Sequence, residues 1–117
     1  MDLQLSARAG RACTVVSVGG ELDMDTAAEL HDFLQEVADT GAVQVVLDCA
    51  ELSFMDSSGL GIFLVWFKEL QGRGGRLCVA AVQDTVAYVL RVSAVEQVLD
   101  VYDTVDAAEA GVPPVVP

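Results

Sequence analysis

The chain has 117 residues, of which 53% are hydrophobic, and it is long enough to fold as one globular domain without disulfide bonds. Its 18 acidic and 6 basic residues leave a formal charge of −12, which repels the phosphates of nucleic acids and anionic lipids but suits a protein partner with a basic face. Even the longest apolar runs, such as Ile62–Phe67, are far shorter than a bilayer span. We predict a protein that binds neither nucleic acid nor membrane and, because the first residues do not form a signal sequence, a cytoplasmic one.

Strand-like and helix-like patterns alternate along the chain. The first two strand-like segments are separated by a short turn, which predicts an antiparallel hairpin. After them, nearly continuous apolar runs alternate with apolar residues at helical spacing. The predicted strands are Leu3–Ala7, Cys13–Val18, Val43–Cys49, Arg76–Val82 and Val98–Tyr102, and the predicted helices are Asp25–Asp39, Ser57–Gln71, Thr85–Val92 and Asp103–Ala110.

This order, β-β-α-β-α-β-α-β-α, predicts an α/β fold. We expect a single-domain sandwich over residues 1–110, with a mixed sheet of four to five strands and about four helices. Residues 111–117 contain the 3 prolines of the chain and predict a flexible tail, because proline cannot continue a helix. The 3 cysteines lie far apart in strand-like segments, which indicates buried thiols rather than a metal site or a disulfide framework.

The segment Leu52–Phe67 contains residues that favour the start of a helix and residues that weaken it. It begins as the end of a strand and becomes an apolar helix, with Asp56-Ser57-Ser58-Gly59 between the two. Asp and Ser favour a helix start because their side-chain oxygens accept hydrogen bonds from the first free N–H groups. Gly59 and Gly61 then weaken the helix, since a glycine in a helix interior costs about 1 kcal/mol relative to alanine. Such a conflict is typical of a functional site.

A helical wheel divides the helix of this segment into two faces. The face predicted to pack on the sheet carries Leu60, Phe63, Leu64, Phe67 and Leu70. The opposite face carries Ser58, Ile62, Val65 and Glu69, with Trp66 at its border. Either a neighbouring helix or loop covers the apolar residues of this second face, or they form an exposed patch that binds a protein. We predict the patch, formed by Ser58, Ile62, Val65 and Trp66.

The two serines of the segment lack the partners of a catalytic nucleophile. Such a serine needs a base, but the chain has one histidine, His31, in another helix, and it lacks the Gly-x-Ser-x-Gly motif. It also lacks the GxxxxGK[ST] loop that cradles phosphates. Glu21, Asp23 and Asp56 are scattered acids that only weakly suggest a metal site. We therefore predict no enzymatic activity, no cofactor and no metal.

A phosphorylated serine suits the segment better. The free N–H groups and the dipole at a helix N-terminus favour a phosphate, while Asp56, and Asp23 if the fold brings it near, oppose it. The fold should tolerate the group, and about two negative charges would appear within a contact surface. Gly59 and Gly61 would leave room for the partner to approach.

Two motifs carry a resemblance to a known family. Leu52–Gly61 resembles the phosphorylation-site motif of bacterial anti-sigma factor antagonists, the stand-alone STAS domains, and Gly20–Asp23 resembles their second signature. The resemblance covers about residues 2–110 and implies a mixed α/β sandwich. It also implies a partner switch: the unmodified chain binds an anti-sigma factor that is a serine kinase, a sigma factor is released, the kinase phosphorylates Ser57, and a serine phosphatase restores the chain.

The same resemblance implies roles for the neighbouring residues. Asp23 and Asp56 would contact the kinase or position Ser57, and Ser58 would be a neighbouring cap and contact residue. The complete predicted partner-binding set is Asp23, Asp56, Ser58, Gly59, Gly61, Ile62, Val65 and Trp66. Two alternatives remain: a STAS domain that senses a small ligand or belongs to a stress-signalling assembly, and an enzyme that uses Asp56 and Ser57, for which a base is lacking.

Overall fold

The computed structural model describes residues 2–111, which form alternating strands and helices around one sheet. In chain order the elements are β1 (Leu3–Ala9), β2 (Thr14–Leu22), α1 (Ala27–Asp39), β3 (Gln44–Asp48), β4 (Leu52–Met55), α2 (Ser57–Gly72), β5 (Arg76–Ala80), α3 (Asp84–Val92), a 3-10 turn (Val95–Gln97), β6 (Asp100–Tyr102) and α4 (Val105–Ala110). The tail predicted at 111–117 lies outside the described residues, apart from Gly111.

The sheet is mixed, as predicted. Its strand order is β1-β2-β3-β5-β6, and β4 pairs with β2. β1 runs antiparallel to β2, which confirms the hairpin, and the other pairings of the described strands are parallel. The connections from β2 to β3, from β4 to β5 and from β5 to β6 each include a helix that returns the chain, and β4 continues in the direction of β3. The carboxyl ends of β2 to β6 therefore point toward one end of the molecule.

One strand more than the predicted four to five is present, because the region after β3 bends at residues 49–51. The amide of Cys49 donates to the carbonyl oxygen of Ala80 at 2.9 Å, and the amide of Leu52 donates to that of Cys49 at 3.0 Å. After the bend, β4 continues the line of β3 along the same neighbour, β2. The stretch before the second helix, predicted as the end of the preceding strand, therefore forms a separate strand.

The second strand is also longer than predicted. The predicted strand ends at Val18, before Gly19-Gly20, whereas β2 continues to Leu22. Gly20 adopts a φ of +95°, and the register with β4 shifts between Gly20 and Glu21. A glycine tolerates this left-handed backbone without steric cost, so it makes an irregularity within the strand rather than its end.

Helices cover both faces of the sheet unequally. The larger core lies under α1, α2 and α3 and includes Leu30, Leu34, Phe63, Trp66, Leu70, Val86 and Leu90. The smaller core, under α4, consists of Val15, Val46, Cys78, Ala80 and Ala108. Burial raises the pKa of the Cys78 thiol to about 11, Cys49 is fully buried, and Cys13 is only half-buried. Cys49 and Cys78 are thus buried thiols as predicted, whereas Cys13 is less buried than predicted.

Candidate functional site

The two sequence motifs meet at the carboxyl ends of β2 and β4. Leu22 pairs with Met55, and the amide of Asp56 donates to the carbonyl oxygen of Leu22 at 3.1 Å. Asp23 and Asp56 therefore each follow the last residue of one of two adjacent parallel strands. The fold brings together the two acids that the sequence separates by more than 30 positions.

Asp56 is the N-cap of α2. Its backbone is extended, and its Oδ1 accepts hydrogen bonds from the amides of Ser58, at 2.8 Å, and Gly59, at 3.4 Å. One carboxylate thus satisfies two of the free donors of the first turn. Ser58 was predicted to act as a neighbouring cap, but it is the second helical residue and donates its amide to Asp56 instead. Of the three candidate capping residues in the sequence, only Asp56 caps the helix.

Ser57 is the first residue of α2 and is exposed. Among the described residues, its hydroxyl group has no hydrogen-bond partner. The preceding Asp56 carboxylate is turned toward the helix amides, as its cap bonds show. Ser57 is therefore presented to solvent at the start of a well-capped helix, a geometry that allows another protein to reach its oxygen.

Asp23 holds the turn that leads into α1. Its Oδ1 accepts hydrogen bonds from the amides of Asp25, at 2.9 Å, and Thr26, at 3.2 Å. The buried Thr26 hydroxyl closes the same turn: it donates to the carbonyl oxygen of Glu21 at 2.8 Å and accepts from the Asp23 amide at 3.0 Å. Asp23 is half-buried, so it has a structural role in addition to any contact it makes with a partner.

The two glycines of the motif differ in their surroundings. Gly59 is buried, and a Cβ atom added there would lie 2.5 Å from the Cγ atom of Leu22. A Cβ atom on Gly61 would meet no atom within 4 Å. The open space at Gly61 fits the prediction that this glycine leaves room for a partner. At Gly59 the space is occupied by the Leu22 side chain, so no room is left there for a partner.

The outer face of α2 is less apolar than the wheel predicted. Val65 is 51% exposed, and Ser58 and Ile62 are half-buried, so these three still form an accessible strip that starts beside Ser57. Trp66, which was predicted at the edge of the patch, is only 1% exposed. The placement of Trp66 on the binding face was wrong.

A neighbouring helix is the physical reason. α1 packs beside α2, and the Nε1 of Trp66 donates to the Nδ1 of His31 in α1 at 3.0 Å. The ring centroids of the two residues are 5.6 Å apart. A buried indole needs an acceptor for its N–H group, and His31 supplies it. Both Trp66 and His31 are thus explained by helix packing.

Two aromatic residues near the motif were not predicted as surface residues. Phe54, in β4, is 43% exposed, and Tyr88, in α3, is 57% exposed. The wheel of α3 could have indicated Tyr88, because it lies about 200° from the buried Val86 and Leu90. Phe54 gave no such signal, since β4 exposes two consecutive residues, Ser53 and Phe54, and does not alternate.

Neither a metal cluster nor a membrane helix is found in the described part of the chain. Residues 2–111 contain no group of three or more His, Cys, Asp or Glu side chains placed to hold one ion. Over the same residues, none of the helices combines the length and the apolar character needed to cross a bilayer.

Comparison with known proteins identifies the fold and its relatives. The family model of the STAS domain matches residues 4–108. The anti-sigma F factor antagonist of Paenibacillus polymyxa is 32% identical over 104 residues, which cover 88% of this chain and 89% of that protein. A crystal structure of an anti-sigma factor antagonist from Mycobacterium paratuberculosis is similar with a TM-score of 0.87 at 25% identity, covering 95% of this chain and 94% of its own.

The anti-sigma factor antagonist SpoIIAA is similar in two structures. Its unphosphorylated form gives a TM-score of 0.72 and the phosphorylated form of this Bacillus cell fate determinant gives 0.68, both at 27% identity and over 92% of this chain. The matched regions cover 92% and 96% of those chains. With a family model that spans nearly all described residues and relatives named as anti-sigma factor antagonists, this chain belongs to the STAS domain family, as its two motifs indicated.

Proposed function

We propose that this chain is an anti-sigma factor antagonist that changes partners when Ser57 is phosphorylated. The unmodified chain binds an anti-sigma factor with serine kinase activity in the cytoplasm, and the sigma factor is released. The kinase then transfers phosphate from ATP to Ser57, binding ends, and a serine phosphatase restores the chain. The observation that carries this proposal is the exposed Ser57 at the first position of α2, directly after the Asp56 cap.

The surface around Ser57 supports a role in binding another protein. Ser58, Gly61, Ile62 and Val65 continue from Ser57 along the accessible side of α2. Polar groups around Ser57 at one end and apolar side chains along the helix together form a contact surface. Phosphorylation would place a charge of about −1.5 to −2 in this surface, beside Asp56 and near Asp23. We expect the bulk of the phosphate and the cost of desolvating its charge in the interface to end binding there.

The fold should survive the modification. A negative group at a helix N-terminus gains about 0.3–1 kcal/mol from the helix dipole, which offsets repulsion by Asp56. The amides of Ser58 and Gly59 are already bonded to Asp56, so a phosphate has little need to rearrange the cap. The switch therefore acts by charge at the surface and not by unfolding the helix.

A catalytic role for Ser57 fits the geometry less well. The single histidine, His31, accepts the hydrogen bond of Trp66 between α1 and α2, and so it is engaged elsewhere. A nucleophilic serine would need a base within hydrogen-bond reach. The exposed hydroxyl is better suited to receive a phosphoryl group from a partner that brings its own catalytic residues.

Mass spectrometry tests the phosphorylation. The purified chain is incubated with ATP and each ATP-binding, kinase-like anti-sigma factor of the source genome. We expect one kinase to add the mass of a single phosphate to the wild type and to Ser58→Ala, and none to Ser57→Ala. Phosphate on Ser57→Ala, or no phosphate with any kinase, would contradict the proposal.

Binding tests the charge mechanism separately. Ser57→Ala should bind the anti-sigma factor about as tightly as the unmodified wild type, because the small hydroxyl leaves no charge behind. Ser57→Asp introduces one negative charge at the same position and should bind at least about tenfold more weakly. Equal affinities of Ser57→Ala and Ser57→Asp in titration calorimetry would rule out a charge switch at this residue.

A further inference from the structure

The end of the molecule that presents Ser57 is acidic. Each of the parallel strands ends in a carboxylate or is followed by one within four residues: Asp23, Asp48, Asp56, Asp84 and Asp103. These five residues define what we call the acidic end. The 6 lysine and arginine side chains lie at the end of β1 or in the turn after it, late in α2 or after it, at the start of β5 or late in α3: Arg8, Arg11, Lys68, Arg73, Arg76 and Arg91.

An apolar groove lies next to this acidic end, between β4 and α3. Its volume is about 410 Å³, and its lining residues are Phe54, Met55, Asp84, Thr85, Tyr88 and Val89. Phe54 and Tyr88 are 43% and 57% exposed, so two aromatic side chains border the open side of the groove. Arg91 lies 5.5 Å from the centre of the Tyr88 ring, and even with this contact more than half of Tyr88 remains open to solvent.

Hydrogen bonds from α3 hold the groove in place. The hydroxyl group of Thr85 donates to the carbonyl oxygen of Ser53 at 2.9 Å. The side-chain amide of Gln83 donates to the carbonyl oxygen of Ala50 at 2.8 Å. These bonds connect the start of α3 to β4 and to the bend before it. A groove formed in advance costs less conformational entropy when a ligand enters it.

We infer that this groove is a second docking site for the anti-sigma factor and that it receives an apolar side chain flanked by lysine or arginine. The inference rests on the proposed function. Met55 lines the groove and is followed directly by Asp56 and Ser57, so one partner surface can reach both the groove and the switch. The acidic end specifies the charge of that surface, because like charges brought together at an interface cost several kcal/mol.

Charge also argues against a second copy of this chain in the groove. A symmetric dimer through this surface would bring two acidic ends together in a protein whose net charge is already −12. A basic partner instead neutralises the acidic end.

Matched variants test the groove. Affinity for the purified anti-sigma factor is measured by titration calorimetry for the wild type, Tyr88→Ser, Tyr88→Phe and Val98→Ser. Val98 is 53% exposed and lies outside the groove, after the 3-10 turn. We expect Tyr88→Ser to bind about tenfold more weakly, as at a typical interface hot spot, and the other two variants to bind like the wild type.

A second substitution protects the test from a folding artefact. Tyr88 is exposed, so Tyr88→Ser should keep the thermal midpoint of the wild type. If it does not, Phe54→Ser removes the opposite side of the groove, and a tenfold loss with an unchanged midpoint supports the site. Unchanged affinity of the folded groove variants overturns the inference but leaves the proposed function standing. A wild-type chain that binds no anti-sigma factor overturns both.

The charge of the partner is tested in the same assay. Asp84→Asn and Glu96→Gln each remove one negative charge, but Asp84 lines the groove whereas Glu96 lies in the 3-10 turn outside it. We expect only Asp84→Asn to slow association, and added salt to weaken the wild-type complex. An affinity that rises with added salt would overturn the inference that the partner surface is basic. A dimer in sedimentation that Tyr88→Ser abolishes would assign the groove to a second copy and also overturn it.

Discussion

Gly59 and Leu22 touch so closely that no side chain fits between α2 and β2. A Cβ atom on Gly59 would lie 2.5 Å and 2.6 Å from the Cγ and Cδ2 atoms of Leu22 and 3.0 Å from the Cγ atom of Met55. The start of the helix therefore rests directly on the ends of two strands. The glycine that weakens α2 as an isolated helix is what allows α2 to pack where Ser57 is presented.

The first prediction compares the two glycines of α2. We expect Gly59→Ala to lower the free energy of unfolding by about 1–3 kcal/mol, because Leu22 and Met55 must move to admit a methyl group. Gly61→Ala adds the same methyl group in open space within the helix and should raise stability by about 0.5–1 kcal/mol. Urea denaturation followed by circular dichroism measures both. Equal effects at the two positions would contradict the packing argument.

The second prediction concerns the cap of α2. Asp56→Ala removes the acceptor of the Ser58 and Gly59 amides and should cost about 1 kcal/mol of unfolding free energy. Asp56→Asn keeps an oxygen acceptor and should cost clearly less. Ser58→Ala is the control, since the Ser58 side chain makes no cap bond. A loss in Ser58→Ala as large as that in Asp56→Ala would show that the cap is assigned to the wrong residue.

The third prediction addresses the contact between α1 and α2. His31→Ala leaves the buried Trp66 N–H group without its acceptor, and we expect a loss of about 1–3 kcal/mol. Asp32→Ala changes an exposed neighbour on the same helix and serves as the matched control. Trp66 is the single tryptophan of the chain, so its fluorescence reports directly on this contact during unfolding. Similar unfolding midpoints for both variants would argue against the hydrogen bond.

The fourth prediction concerns acid stability. Glu109 in α4 accepts a hydrogen bond from the Arg11 amide at 2.7 Å, and this bond lowers the pKa of the carboxyl group below its ordinary value of 4.5. Arg8 adds a weaker contact at 3.5 Å. A group with a lowered folded-state pKa stabilises the fold while it is ionised. This contribution is present above pH 4.5 and is lost as the pH falls through the lower, folded-state pKa.

Glu109→Gln tests the assignment. The glutamine cannot ionise, so the difference in unfolding free energy between it and the wild type should be largest at neutral pH and should shrink below pH 4.5. Urea midpoints at neutral and acid pH measure this difference. Asp106→Asn, which changes an exposed carboxylate on the same helix, is the matched control. A wild-type advantage that persists unchanged in acid would contradict the role of Glu109.

Much of the fold and of the motif could be read from neighbouring residues. Helical spacing and apolar runs are patterns among neighbouring residues, so the sequence alone reveals them. They located the four helices and the strands before and after them to within a few positions. Asp56-Ser57-Ser58-Gly59 indicated a helix start for the same reason. Six strands instead of four to five appeared because β4 is only four residues long and exists through its pairing with β2, a contact that no local pattern records.

Surface exposure depended on contacts between distant parts of the chain. The wheel placed Trp66 at a border between two faces, and only the packing of α1 decided that it is buried against His31. Gly59 and Gly61 are the same residue type two positions apart, yet one faces Leu22 and the other faces open space. Local chemistry therefore predicted that Ser57 begins a helix, whereas the tertiary structure decided which of its neighbours a partner can reach, because burial is set by whatever packs on the other side.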